Sequence, residues 1–184
     1  MADGTLKVGT ITTSSGSGTI TLGQSGETVT IPSGATVSGA ITNTPSFYAK
    51  ASTDQTISND TLTTVVFDSE DFDTNNAFAS NTFTVPSGEA GKYFFTTNVN
   101  YINPNSSNYR ILYIYKNSTP YIEFQKLTDD SGRNNLNLST IMDLSVGDTV
   151  SVRIEQNSGT DMTLNRIGAT EKRGIQFGGY KLIG

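Results

Sequence analysis

The stretch that decides the fold lies at residues 148–156 and reads DTVSVRIEQ. Its apolar and polar residues alternate strictly, so that Val150, Val152 and Ile154 fall on one side of an extended chain and polar residues fall on the other. Because successive side chains of a β-strand point to opposite faces, this alternation is typical of a strand with one buried face and one solvated face.

Similar runs recur along residues 46–184, and this region also contains every aromatic residue of the chain. Clusters of Asn, Asp, Ser, Gly and Pro separate the runs, as turns between strands require. No helical periodicity of useful length is present. The pattern predicts an all-β sandwich with strands at 46–51, 63–67, 81–85, 92–101, 109–116, 121–127, 136–144, 148–156 and 175–182.

Residues 1–45 differ sharply in composition from the rest. They contain no aromatic residue, and Gly, Ser and Thr fill more than half of the positions. Such a composition suits a flexible linker, but β-branched bursts recur every eight or nine residues, led by Thr10, Thr19, Thr28 and Thr36. A short strand plus a turn, repeated, predicts a β-strand arm that gains order by pairing with another chain. Its attachment residues are predicted to be Ile11, Ile20, Val29, Ile31 and Val37.

Composition excludes several classes of function. The 184 residues include no His and no Cys, which removes nucleophilic systems that need either residue, thiolate or imidazole zinc sites, and disulfides. A net charge of −5 argues against nucleic acid and anionic membranes as partners, because phosphate neutralisation needs a concentrated Lys/Arg surface. No apolar run approaches the length of a membrane span, and no secretion signal is recognisable at the start.

The run at 109–116, YRILYIYK, has apolar residues on both sides. In a two-layer sandwich one side of a strand packs inside its own domain, so a second apolar side must be covered by something else. We predict that another copy of the chain covers it, since closed symmetric oligomers are usual for soluble proteins. The alternative is cover by the protein's own arm or a loop.

The order of motifs resembles the jelly-roll globular head shared by complement subcomponent q and the tumour necrosis factor ligands. The resemblance covers most of residues 46–184 and rests on an ordered series of short pieces. These are Phe47-Tyr48-Ala49, Thr64-Val65-Val66-Phe67, Glu70-Asp71-Phe72-Asp73, Asn76-Ala77-Phe78, Phe83-Thr84-Val85-Pro86, Gly91-Lys92-Tyr93-Phe94-Phe95, Ile114-Tyr115-Lys116-Asn117, Leu144-Ser145-Val146-Gly147-Asp148-Thr149-Val150 and Phe177-Gly178-Gly179-Tyr180-Lys181-Leu182.

The resemblance implies a ten-strand jelly roll that assembles as a homotrimer, in agreement with the two-sided strand. The residues predicted to form the trimer interface are Phe47, Tyr93, Phe95, Leu112, Ile114, Tyr115, Phe177 and Tyr180. The collagen-like Gly-X-Y stalk of complement heads is missing, and the Gly/Ser/Thr-rich arm stands in its place. An arm of this kind on a compact trimeric β knob looks like a bacteriophage virion component.

Three groups of polar residues are candidates for binding or catalysis. Asp68, Glu70, Asp71 and Asp73 could converge on calcium, which related heads sometimes bind, although a loop-capping role is favoured and no cofactor is predicted. Asp129 and Asp130 could supply a glycosidase carboxylate, but a turn is the favoured interpretation and no enzyme is predicted. The possible ligand loops contain Asn105, Asn108, Asp129 and Arg133.

The sequence therefore predicts a non-enzymatic, trimeric protein on the exterior of a phage particle, assembled in the bacterial cytoplasm. Capsid decoration or a short head fibre is favoured, with residues 1–45 attached to the virion. The alternative is a tail fibre or receptor-binding tip that recognises a host surface glycan.

Overall fold

A computed structural model of the chain describes residues 10–12, 19–22, 26–35, 43–103, 108–127, 132–166 and 174–183. The chain divides into two compact units, Met1–Ser38 and Gly39–Gly184. The described part contains no helix with the length and hydrophobicity that a bilayer crossing requires.

The described residues of the first unit form turns and extended segments but no β-strand. Four of the predicted attachment residues are well exposed there: Ile11, Ile20, Val29 and Ile31 are 42–56% accessible. The fifth, Val37, lies outside the described residues. The described bursts led by Thr10, Thr19 and Thr28 form no strand within the single chain, whereas the burst led by Thr36 lies outside the described residues. Pairing of the arm with another chain stays a prediction.

The second unit is all-β, as predicted. Its described residues form thirteen strands rather than ten: β1 (Ser46–Lys50), β2 (Gln55–Ile57), β3 (Thr63–Thr64), β4 (Ser69–Asp73), β5 (Phe78–Ala79), β6 (Thr82–Thr84), β7 (Gly91–Asn103), β8 (Tyr109–Lys116), β9 (Thr119–Leu127), β10 (Gly132–Leu144), β11 (Thr149–Gln156), β12 (Met162–Leu164) and β13 (Gln176–Lys181).

The strands form two antiparallel sheets packed face to face. Sheet A has the order β2-β12-β7-β13-β1-β4, and β10 pairs with the other side of β7. Sheet B has the order β5-β6-β11-β8-β9, and β3 pairs with β11. Neighbouring strands in both sheets are mostly far apart in sequence, which is the mark of a jelly roll rather than of a row of hairpins.

All nine predicted strands are present, and the four that sequence reasoning missed are β2, β4, β5 and β12. Three of these have only two or three residues, too few for alternation to be visible. The fourth, β4, reads SEDFD and is composed mostly of residues that are depleted in strands. It forms because β1 supplies an open edge for it to pair with.

The core between the sheets is rich in aromatic residues. Phe47 of β1 packs against Phe78 and Phe83 of sheet B, with ring centroids 4.7 and 5.3 Å apart, and against Phe177 of sheet A at 5.0 Å. Its 1% exposure places it at the centre of this cluster. Aromatic contacts that cross between the layers fix how the two sheets face one another.

The outward side of β8 is covered by the chain itself, which corrects the prediction that another copy covers it. Leu112 and Ile114 point into the core and are fully buried. On the opposite side, the rings of Tyr113 and Tyr115 pack edge to face at 5.8 Å, and the guanidinium of Arg153 lies 4.3 Å from the centre of the Tyr115 ring. Tyr113 and Tyr115 are left 9% and 6% exposed, so neither needs a second protomer.

A carboxylate ties together two turns at one end of sheet B. Asp148 accepts hydrogen bonds from the Ser145 amide at 2.9 Å and the Asn117 side chain at 3.0 Å, and it pairs with Lys116 at 3.0 Å. These donors stabilise the charged form and lower the pKa of Asp148 to about 2.

This arrangement predicts a pH-dependent effect of Asp148→Asn. The ionised carboxylate contributes stability above its unfolded pKa, near 4, and this contribution declines as the pH falls toward 2. Because the side chain is partly exposed, we expect the variant to lose only about 1 kcal/mol at pH 7. Thermal unfolding at pH 7, 4 and 2.5 should show the difference between the two proteins shrinking. A difference that stays constant over this range would contradict the assignment.

Candidate self-association face

Most of the predicted interface residues lie inside the protomer. Phe47, Tyr93, Phe95, Leu112, Ile114 and Phe177 are at most 1% exposed, and Tyr115 is covered by Arg153. A side chain without accessible surface cannot contact another copy, so the interface prediction is corrected for the six core residues. Of the eight, only Tyr180 is substantially exposed, at 38%.

Tyr180 belongs to an apolar surface on the outward face of sheet A. Antiparallel register places Ile141 of β10 beside Phe94 of β7, and Phe94 beside Tyr180 of β13. The rings of Phe94 and Tyr180 are 5.6 Å apart. The next row contains Tyr48 of β1 and Phe72 of β4, whose rings stack at 6.4 Å.

We call these five residues, Tyr48, Phe72, Phe94, Ile141 and Tyr180, the sheet A patch. Three of them are strongly exposed for large apolar side chains: Phe72 at 51%, Ile141 at 55% and Tyr180 at 38%. A contiguous exposed apolar surface of this kind marks an interaction site, because a soluble monomer gains nothing from it.

A groove of about 380 Å³ runs through the sheet A patch between the Tyr48–Phe72 and Phe94–Tyr180 pairs. Gly178 and Gly179 line it. A Cβ atom at Gly178 would lie 2.9 Å from the ring of Tyr48, and one at Gly179 would lie 2.4 Å from the ring of Phe95. The glycine pair is therefore needed both for the groove above the sheet and for the core packing below it.

Exposed apolar side chains also lie on both faces of β9, the edge strand of sheet B. Tyr121, Phe124 and Leu127 are 49%, 44% and 69% exposed, and the Tyr121 hydroxyl donates to the Ile141 carbonyl at 3.3 Å. A chain with two different apolar surfaces can join head to tail, and such contacts close into a ring when the rotation allows it. This geometry allows the sheet A patch of one protomer to pack against the β9 edge of the next.

Three of the four acidic residues considered for calcium serve separate structural roles. Asp68 accepts from the amide and hydroxyl of Ser52 at 2.6 and 2.7 Å, and these bonds lower its pKa. Asp71 pairs with Lys50 at 2.5 Å. Asp73 accepts from the amides of residues 77 and 78 at 3.0 and 2.8 Å, which is the capping role that the sequence favoured.

Glu70 is exposed on β4. Among the described residues, no group of three His, Cys, Asp or Glu side chains could hold a metal ion.

The predicted ligand loops are only partly described. Asn105 and Asp129 lie outside the described residues, as does Asp130. Asn108 and Arg133 are exposed, and Asn108 donates to the Asn157 carbonyl at 2.8 Å.

Comparison with known proteins agrees with this architecture. The sequence profile of the C1q domain matches residues 46–182. The chain superposes on the globular domain of zebrafish complement 1qA with a TM-score of 0.52 and 18% identity, covering 76% of this chain and 98% of that one. It superposes on murine APRIL with a TM-score of 0.53 and 12% identity, covering 74% and 98%. No curated protein sequence matches the chain.

The second unit is thus a jelly-roll head of the class that complement and tumour necrosis factor-like proteins share. The chain belongs to the C1q domain family. Domains of this class are generally non-catalytic binding or structural domains, and they are usually homotrimeric. Among the described residues, the sheet A patch and the β9 edge are surfaces that suit such an assembly.

Proposed function

We propose that the chain is a non-enzymatic virion structural protein of a bacteriophage, namely a trimeric capsid decoration protein or short head fibre. Residues 1–45 attach the trimer to the particle, and residues 46–184 form the projecting knob. The observation that supports this proposal is the exposure of the arm's aliphatic residues, since Ile11, Ile20, Val29 and Ile31 are 42–56% exposed in the single chain.

Attachment would stabilise the particle by mass action. An arm that binds only the assembled shell lowers the free energy of the assembled state relative to the free subunits. Three arms on one trimer would bind together, and each contact after the first is intramolecular, so a short and weakly apolar arm suffices. The knob then needs no catalytic chemistry, which agrees with the general character of the family.

The test is to tag the chain at its C terminus in its native genomic context and to separate particles from free protein on a density gradient. We expect the chain to sediment with particles and to appear in cryo-electron microscopy as a threefold knob on their exterior. Recovery of the chain only as free protein would overturn the proposal.

A matched variant isolates the role of the arm. Replacing Ile11, Ile20, Val29 and Ile31 with serine removes their apolar surface without touching the jelly roll, so we expect intact trimers that no longer sediment with particles. Retention of this variant on particles would show that the knob makes the attachment.

A second candidate function is host-glycan recognition at the tip of a tail fibre, and one observation favours it. The stacked Arg153 guanidinium lies on the outward face of sheet B, and its Nε has no hydrogen-bond partner among the described residues. Because Nε itself is buried, the terminal NH2 groups of Arg153 would make the hydrogen bonds to a carboxylate or hydroxyl group of the glycan. Binding of the purified trimer to isolated host envelope, lost in Arg153→Ala, would favour this function over capsid decoration.

A further inference from the structure

The outward face of sheet A changes from apolar to polar side chains along its strands. Beyond the apolar residues, register places Asn137 of β10 beside Asn98 of β7, and Asn98 beside Gln176 of β13. We call these three residues the amide row. Ser139, Thr96 and Gly178 form the adjacent row, two residues away along each strand. The amide row therefore directly borders the sheet A patch.

Asn98 contains a buried polar atom that no other described residue satisfies. Its Nδ2 donates to the Gly174 carbonyl at 3.0 Å, while its Oδ1 is buried and has no hydrogen-bond partner among the described residues. The orientation of the amide is fixed, because a carbonyl oxygen can only accept and therefore needs the NH2 group of Asn98 facing it. A buried acceptor without a donor destabilises a protein, and native structures rarely retain one without a reason.

The unsatisfied oxygen belongs to a cleft that opens on the same face. The cleft has a volume of about 180 Å³ and is lined by Tyr48, Thr96, Thr97, Asn98, Asn137 and Gln176. Tyr48 and Thr96 also line the apolar groove, so the two depressions adjoin. The Tyr48 hydroxyl donates to Oε1 of Gln176, and this hydrogen bond links the sheet A patch to the amide row.

We propose that the amide row forms a polar layer between protomers of the trimer, in which an N–H group of a second copy donates to Oδ1 of Asn98. The inference rests on the proposed trimeric assembly and deepens it. Amide side chains carry both donors and acceptors, so the row can pair with side-chain amide or backbone groups of another copy without a counter-ion.

The polar layer gives the interface a register that the apolar groove cannot supply. Apolar contacts are non-directional, so two apolar surfaces can shift relative to one another at little cost in free energy. A misaligned copy would leave Asn98 unsatisfied, whereas the aligned copy satisfies it. A single buried asparagine fixes register and oligomeric state in coiled coils in the same way.

The first test is Asn137→Asp in the full-length protein. Asn137 is exposed in the single chain, so folding should be unaffected, but a carboxylate beside Asn98 in the amide row would place a charge without a counter-ion in the polar layer. We expect the fraction of non-trimeric protein in sedimentation and native mass spectrometry to rise about tenfold at pH 7. Trimers as stable as those of the unaltered protein would overturn the proposal.

The second test is Asn98→Leu, which removes the unsatisfied oxygen and adds apolar surface. We expect chains that still associate but populate several oligomeric states, with roughly a fivefold larger share of species other than the trimer. The control is Thr84→Leu, an exposed polar side chain on β6, away from the sheet A patch and β9, which should leave the distribution unchanged. A uniform trimer for Asn98→Leu would overturn the polar layer alone, whereas a monomeric unaltered protein would overturn the trimer itself.

Discussion

Replacing Phe47 with alanine is expected to lower the free energy of unfolding of the knob by about 3–5 kcal/mol, the cost of removing a large aromatic side chain from a packed core. Phe47 is 1% exposed, and its ring lies within 4.7–5.3 Å of the rings of Phe78, Phe83 and Phe177. Its partners come from both sheets, so no single element can shift to fill the space.

The measurement is reversible denaturant unfolding followed by tyrosine fluorescence and circular dichroism. Leu62→Ala is the control, because Leu62 is 40% exposed and its truncation should cost less than about 1 kcal/mol. A loss of less than about 1 kcal/mol for Phe47→Ala would mean that the cavity collapses, and it would contradict the interlocked packing of the aromatic cluster.

The sequence predicted the strands well wherever alternation was long enough to be visible. The run at 148–156 becomes β11 with Val150, Val152 and Ile154 buried, and the run at 109–116 becomes β8 with its predicted bounds. Alternation carries this information because it records which residues share a face. It carries none about β2, β5 and β12, where two or three residues extend only because a neighbouring strand offers hydrogen bonds.

The interface was harder to predict because periodicity does not say which face is the core. Phe94 and Phe95 are adjacent in the sequence. Only the pairing of β7 with β10 and β13 shows that Phe95 points inward and Phe94 outward. The apolar second side of β8 suggested a partner, but Arg153 from the neighbouring β11 covers Tyr115.

The sheet A patch combines side chains of five strands, β1, β4, β7, β10 and β13. Each contributes one residue, and none of these strands has an unusual sequence at that position. No local pattern could therefore have selected Phe72 or Ile141. Tyr180 was selected through the terminal motif of the family resemblance.

Tyr180→Asp is expected to convert the trimer into folded monomers. Tyr180 is 38% exposed in the protomer, so a carboxylate at this position stays solvated when the chain is alone. In the assembly it would be buried against an apolar surface without a partner, which costs several kcal/mol. We expect association to weaken by at least about a hundredfold, the consequence of a loss of roughly 3 kcal/mol.

Ile114→Asp is the informative comparison, because the same charge change should have a different outcome there. Ile114 is fully buried between the sheets, so an aspartate would unfold the knob instead of separating folded protomers. Sedimentation at micromolar concentration and circular dichroism distinguish the two results: a native β spectrum at monomer mass for Tyr180→Asp, and a lost spectrum or aggregation for Ile114→Asp. An intact trimer for Tyr180→Asp would show that the sheet A patch faces solvent in the assembly and that the interface lies on other surfaces.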